Sequence, residues 1–238
     1  ADYMRIAYHG TALVTVPLSL FTFYTIWKIT PSRMKNMRGP LMIAHAWSTN
    51  LDLMFTVYTA PVAFFPSAAG LPLGVLTAIG VPTKWQAYWG QVSVCMCGVC
   101  FVMLYENRQS QITTVRFKIK SHRTRVIYFG ANYLMAFVFM LPFYLGVPDQ
   151  TELRNSVLKR VPCPTVDFYN PNVFVLHQAG EIIPVLSISA GLLLVCIQTL
   201  FFLFHTAYHL FNVDSAQISA ATRTLQKRFL GYVSIQVT

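Results

Sequence analysis

The sequence predicts an all-α membrane protein, a bundle of helices solvated by lipid. Between Arg38 and Lys84 the only charged side chain in 45 residues is Asp52. Similar charge-poor stretches occupy 6–27, 85–105, 126–148 and 182–204, and a sixth starts at Phe229. A hydrocarbon core of about 30 Å takes about 20 apolar residues per helix, and the first five stretches meet that length. Composition agrees: charged residues are 11% of the chain, against about 25% in soluble domains.

Five full spans, with helices at 6–27, 40–65, 85–105, 126–148 and 182–204, use nearly all of the 238 residues. One transmembrane domain over 1–238 is therefore expected. Spans of this length exclude a secretory h-region. The chain starts at Ala1, and the sixth run, 229–238, is too short to cross. The expectation is a fragment of a longer protein, cut within its sixth helix.

The placement of charge sets the orientation. The loop after the first helix holds Lys28, Arg33, Lys35 and Arg38. The loop after the third holds Arg108, Arg116, Lys118, Lys120, Arg123 and Arg125, and the region after the fifth holds Arg223, Lys227 and Arg228. These are 13 of the 18 basic residues; Arg5, Lys84, Arg154, Lys159 and Arg160 fall on the other side. Cytoplasmic loops carry the Lys/Arg excess, so odd-numbered loops are expected inside and the N-terminus outside. Basic charge divided among short loops at one membrane face does not suit a nucleic acid. It suits anionic lipid, at about 1 kcal/mol per basic residue near the surface.

The outer side has one substantial loop, Pro148 to Gly180, with Asp149, Glu152, Cys163 and Asp167. Its four prolines, Pro148, Pro162, Pro164 and Pro171, favour extended or turned backbone over helix. Such a loop can lid a cavity between helices.

Several residues stand out against the apolar background. Asp52 lies near the middle of the second span, where a carboxylate costs roughly 2.5–3.5 kcal/mol to insert. It is expected to face the bundle interior, with Ser48 on its face, as a polar switch or as a protonated packing residue. Glu106, Asn107 and Arg108 end the third span, either as a charge latch or as an ordinary interfacial end. Glu106 and Arg108 are two apart and do not face each other on a helix. Tyr88, Gln91 and Cys95 share one face of the third helix, and Trp85, Trp89 and Val92 share another. The aromatics are interface anchors or, with Gln91, the lining of a cavity for a small, mostly apolar ligand.

Cys95, Cys97 and Cys100 invite a metal reading, but Cys95 and Cys97 point to nearly opposite faces, so packing is the better role. His205 and His209 share a face of the fifth helix as an interfacial pair; a His-ligated membrane oxidase uses such pairs but with many more than the six histidines here. No phosphate-loop, zincin or nucleophile-elbow motif occurs. No metal and no cofactor are expected.

The run Leu41-Met-Ile-Ala-His45-Ala-Trp47 followed by Leu51-Asp52-Leu53 resembles the second helix of nematode serpentine receptors of class H. Phe64-Phe-Pro66, Gly70-Leu-Pro72-Leu-Gly74, Glu106-Asn107-Arg108, Asn132-Tyr133, Pro148-Asp149-Gln150 and Pro162-Cys163-Pro164 fit the same family in the same order. The resemblance covers essentially the whole chain. It implies a seven-transmembrane-helix chemoreceptor of the G-protein-coupled type, here truncated within the sixth helix, with the seventh missing. In two places the sequence departs from rhodopsin-like receptors. The third helix ends Glu-Asn-Arg rather than acid-Arg-aromatic, and no cysteine stands at its outer top to bridge Cys163.

The expected function is therefore a chemosensory receptor without enzymatic activity. A small-molecule ligand would bind on the outer side, with Tyr88, Trp89 and Gln91 as candidate contacts. A heterotrimeric G protein would dock at the inner ends, with Glu106, Asn107, Arg108, Arg223, Lys227 and Arg228 as candidates. Asp52 and Ser48 would form the polar switch between the two. The expected location is the plasma membrane, multi-pass, with sensory cilia as the narrower expectation. The alternative, a small-molecule transporter, calls for internal repeats and paired broken helices, and no repeat is visible.

Overall fold

The computed structural model describes residues 2–30, 35–112, 117–177 and 182–211, with single helical positions at 224, 228 and 231. The long helices are α1 (Asp2–Lys28), α2 (Lys35–Leu53), α4 (Thr83–Ser110), α5 (His122–Val138) and α8 (Ile182–Phe211). The short ones are α3 (Val75–Ala78), α6 (Leu141–Leu145) and α7 (Gln150–Arg160). Four segments, 2–28, 83–110, 122–145 and 182–211, are long and apolar enough to cross a membrane. The expected run 229–238 lies outside the described residues except at Gly231.

The second helix differs from the expected 40–65. It starts at Lys35, continues beyond Leu53 as a π-helical turn, Met54–Tyr58, and stops there. The cause is Pro61. Pro61 has no N–H to offer the Val57 carbonyl one turn back, and Ala60 before it takes φ 42°. The chain then turns back as a hairpin, β1 (Pro61–Phe64) against β2 (Ala69–Pro72), in register Pro61↔Pro72 to Phe64↔Ala69. A two-residue strand, β3 (Phe174–Val175), adds to β2, giving the order β1-β2-β3. This small sheet is the one departure from an all-α fold among the described residues.

The fourth span also breaks. Pro142 has no N–H for the carbonyl one turn back, and α5 gives way to α6 across Phe139 and Met140. In the long loop, proline does not exclude helix as expected. Pro148 and Pro162 instead bracket a proline-free stretch that forms α7. Leu153 and Val157, four apart, share one face of it and are buried against Leu71, Phe168, Val173 and Val175. That burial folds the loop onto the sheet.

The sheet defines one end of the bundle, where α2, α5 and α6 finish and α4 and α8 begin. Half of the most apolar window of α4 is buried, against 6% in α1 and 11% in α8, so α4 is the central helix. Its Val92, Met96, Val99, Val102 and Tyr105 pack with Phe129 and Ala136 of α5 and with Phe202 and Leu210 of α8. The outer faces keep Leu13, Phe21, Leu193 and Phe204 exposed, as hydrocarbon solvent permits. Since lipid is as apolar as leucine, close approach of helices depends on small residues. Gly98 fills that role: a Cβ there would lie 2.7 Å from Val195 Cγ1 on α8.

Gly74 has the tighter constraint. A Cβ on it would lie 2.3 Å from the Tyr58 carbonyl oxygen. The backbone N–H groups of Leu73 and Gly74 both donate to the Thr59 carbonyl at 2.9 Å, which fixes the hairpin's return to the end of the second helix. Gly74→Ala is expected to destabilise the protein by about 1–3 kcal/mol through overpacking against backbone. A thermal melt of the detergent-purified variant checks this, and an unchanged midpoint would contradict it.

Candidate functional site

A cavity of about 350 Å³ lies under the hairpin at the sheet end. Its walls are Met54, Phe55 and Thr59 from the end of the second helix, the hairpin itself, Tyr144 of α6, and Phe174 and Leu176 of the folded loop. The floor is one face of α4: Thr83, Gln86, Ala87, Gly90, Gln91 and Val94. That spacing of three and four is a single helical stripe. The small side chains of Ala87 and Gly90 leave the space.

Of the aromatic and amide residues singled out from the sequence, Gln91 lines this cavity and Tyr88 and Trp89 do not. Tyr88 donates its hydroxyl to the Phe137 carbonyl at 2.5 Å and packs edge-on against Tyr144, with centroids 5.3 Å apart. Trp89 packs between Trp47 and Phe137. Both join helices behind the cavity. Gln86 is 1% exposed and its amide is committed to the Val81 carbonyl at 2.8 Å and to Thr77 at 3.2 Å. Gln91 makes only a long contact, 3.9 Å, to the Cys95 sulfur. It is the amide left to meet a ligand.

At mid-bundle the polar contact between α2 and α4 comes from Asn50, which donates to Ser93 Oγ at 2.8 Å; Ser93 in turn donates to the Trp89 carbonyl at 2.8 Å. Asp52 stands about 200° round the helix from Asn50. It is half-buried and Ser48 is exposed, so neither faces α4 as a buried interior pair. Asp52 also lies nearer the sheet end than the middle of its helix, which runs from Lys35 to Tyr58.

The far end of α4 is a buried polar cluster. Glu106 is 1% exposed and accepts from Arg125 of α5, at 2.8 Å from Nη2 and 3.2 Å from Nε. Asn107 donates to Met37 Sδ at 3.0 Å and to the Asn36 carbonyl at 3.4 Å, both at the start of α2. Arg108 is buried and donates to Gln111 at 3.1 Å. Gln109, fully buried, meets His205 Nδ1 of α8 at 2.5 Å. Beside this cluster, Tyr128 of α5 donates to Gln198 of α8, and Gln198 donates to Asn132 at 3.1 Å. Successive polar residues on α4 thus reach α5, α2 and α8 in turn.

Glu106, Asn107 and Arg108 were expected to end the third span, as a charge latch or as an ordinary interfacial end. They are brought together and enclosed. Of the further coupling candidates, Arg223 and Lys227 lie outside the described residues, and Arg228 is helical and exposed. His205 and His209 stack edge-on, centroids 4.7 Å apart, with one nitrogen of His205 already held by Gln109. All five cysteines are free thiols; Cys163 is exposed and Cys100 contacts the Tyr133 hydroxyl at 3.3 Å. Sequence reasoning missed Arg125, Gln109 and Asn50. Arg125 is 19 residues from Glu106 across a loop, and helical spacing alone does not pair residues so far apart.

Removing one member of a buried ion pair leaves an unpaired charge, at a cost of about 3–5 kcal/mol, whereas removing both is far milder. Arg125→Met is therefore expected to lower the melting midpoint of the purified protein more than the double variant Glu106→Gln, Arg125→Met. Equal destabilisation by single and double variants would contradict the pairing.

The helical membrane fold agrees with comparisons to known proteins. The family described as serpentine type 7TM GPCR chemoreceptor Srh matches residues 1–238. Serpentine receptor class H-72 of Caenorhabditis elegans is 28% identical over 222 residues, covering 92% of this chain and 64% of that protein. The chain thus spans under two thirds of the length of the curated relative it matches. No solved structure matches. The chain, an apolar multi-pass membrane protein with a ligand-sized cavity at one end and a buried polar cluster at the other, belongs to the Srh family of serpentine seven-transmembrane chemoreceptors, a receptor family and not an enzyme family.

Proposed function

We propose that this chain binds a small, mostly apolar cue in the cavity under the hairpin and signals to a heterotrimeric G protein at the opposite end. One observation carries the reading. The same helix, α4, forms the cavity floor at Gln91 and holds the buried cluster Glu106 to Gln109. Residues 91 and 108 are about 26 Å apart along the helix axis, too far for one ligand to touch both. Binding would act by favouring one arrangement of α4 against α2, α5 and α8. In the signalling arrangement the ends of these helices part, and Glu106, Asn107 and Arg108 become available, together with Arg223, Lys227 and Arg228. Asp52 and Ser48 serve in this scheme as the polar switch on the second helix between the two ends.

The orientation that goes with this function puts the sheet end and the N-terminus outside the plasma membrane, in sensory cilia. The basic residues Lys118, Lys120 and Arg123 then face the cytoplasm and its anionic lipid. Cys163 and Ser121 are both exposed, on opposite sides of this arrangement. In intact cells a membrane-impermeant maleimide should label Cys163 and spare a Ser121→Cys variant whose Cys163 is replaced by Ser. Permeabilised cells should label both. The opposite pattern would overturn the orientation and the coupling that depends on it.

Coupling itself is tested with the first cue that a screen in a signalling cell line returns. Arg108→Ala is expected to lower ligand-driven nucleotide exchange on the G protein by at least about tenfold. Ligand affinity should change by only a few fold, because an effect on binding passes through a conformational coupling of typically 1–3 kcal/mol. Full exchange in the variant would remove Arg108 from the coupling end.

A further inference from the structure

A second cavity, of about 440 Å³, stands beside the first at the sheet end, and its character is different. It lies between the start of α4, the start of α7 and the segment 171–174. Two cations line it, Lys84 and Arg154, against one carboxylate, Asp149. Among the described residues neither cation forms an ion pair, and Arg154 Nε is buried without a hydrogen-bond partner. The other end of the Arg154 fork is spent: Nη2 donates to the Pro171 carbonyl at 2.7 Å and to the Val173 carbonyl at 2.6 Å. Lys84, half-buried in the first turn of α4, lines the cavity, with its ammonium 5.0 Å from the centre of the Trp85 ring.

Both α4 and α7 present their N-termini here, at Thr83 and Gln150. Helix N-termini carry about half a positive charge, which adds to the two side chains. The field in this cavity favours an anion. Thr83 and Phe174 line this cavity and the apolar one as well, so the two share a wall.

We infer that the cue is amphipathic: an apolar body in the cavity under the hairpin, and a small anionic head, a carboxylate, against Lys84 and Arg154. This rests on the reading of the hairpin cavity as the cue site and narrows the chemical class of the cue. An oil-soluble acid fits the pair of cavities, and the neutral alcohol of equal length meets only one of them. Lys84 discriminates because, among the described residues, no carboxylate forms an ion pair with it. Arg154 shares the head but also holds the loop, so its replacement would confound folding with binding.

Octanoate and octanol are the probes. Each is titrated at neutral pH onto the receptor in nanodiscs, with the heat of empty nanodiscs subtracted. Octanoate is expected to bind at least about tenfold tighter than octanol, the scale of charge-assisted hydrogen bonds. Lys84→Met should reduce that preference at least about threefold while leaving octanol affinity unchanged, and Lys84→Arg should retain it. Equal affinities, absence of octanoate binding, or an undiminished preference in Lys84→Met would each overturn the inference. A neutral cue that drives nucleotide exchange in a receptor indifferent to octanoate would overturn it too, and would leave the receptor reading standing.

Discussion

A carboxylate that is 1% exposed at the end of a membrane helix is the constraint around which the rest of this structure is arranged. Removing an ion from water costs several kcal/mol even after relaxation, and attraction repays that cost only with close geometry and further hydrogen bonds. Glu106 meets the condition at one oxygen: Oε1 accepts two bonds from one guanidinium, which fixes where α5 starts relative to α4, while Oε2 is buried without a hydrogen-bond partner among the described residues. The same logic extends along the last turns of α4. Asn107 and Gln109 are buried amides, and a buried amide without a partner is costly. Their partners are on α2 and α8. Three helices are therefore held to one by polar contacts that advance round α4 residue by residue. In a solvent that gives no hydrophobic force between helices, these contacts and small-residue packing at Gly98 decide the assembly.

The sheet end obeys different physics. There water is available, and the chain uses prolines, a hairpin and a short helix where the bilayer would allow only helix. Pro61 ends the second helix, Pro142 breaks the fourth, and Pro148 and Pro162 frame α7. The apolar face of α7 then covers the sheet through Leu153 and Val157. The result is a lid made of backbone pairing and a small core of its own, in which β3 ties the loop to the hairpin.

Four of the long segments were legible as apolar runs of span length, and α2 is not among them. Their ends were less so. The expected span 40–65 overran Tyr58 because Val62, Ala63, Phe64 and Phe65 are as apolar as the helix, and only the two-residue effect of Pro61 on Ala60 marks the boundary. The fold of the long loop was hidden for the converse reason: proline count suggested no helix, while proline position permitted one. At the candidate site, the aromatic residues drew attention and the space came from Ala87 and Gly90, whose signal is the absence of side chain. Gln91 was legible as a polar residue on an apolar face. Arg125 was not, because its pairing depends on how two helices meet and not on spacing within either.

These two ends impose opposite demands on α4, and the helix meets them by separating its faces along its length. Near the sheet its cavity stripe, Thr83 to Val94, is lined by small and amide side chains, and the bulky Tyr88 and Trp89 point away into the helix contacts. Beyond Val99 the pattern reverses, and bulky Met103 and Tyr105 fill the interior while polar residues make the contacts. The middle is joined to α2 by the Asn50–Ser93 hydrogen bond and by Trp47 against Trp89, ring centroids 6.2 Å apart. Hydrogen bonds between membrane helices average about 0.6 kcal/mol, so this joint is weak beside the paired charge at the far end. A shift of α4 relative to α5 thus meets its largest resistance at Glu106, held by two hydrogen bonds from Arg125. Parting α4 from α5 at the far end requires the Glu106–Arg125 pair to exchange protein for water.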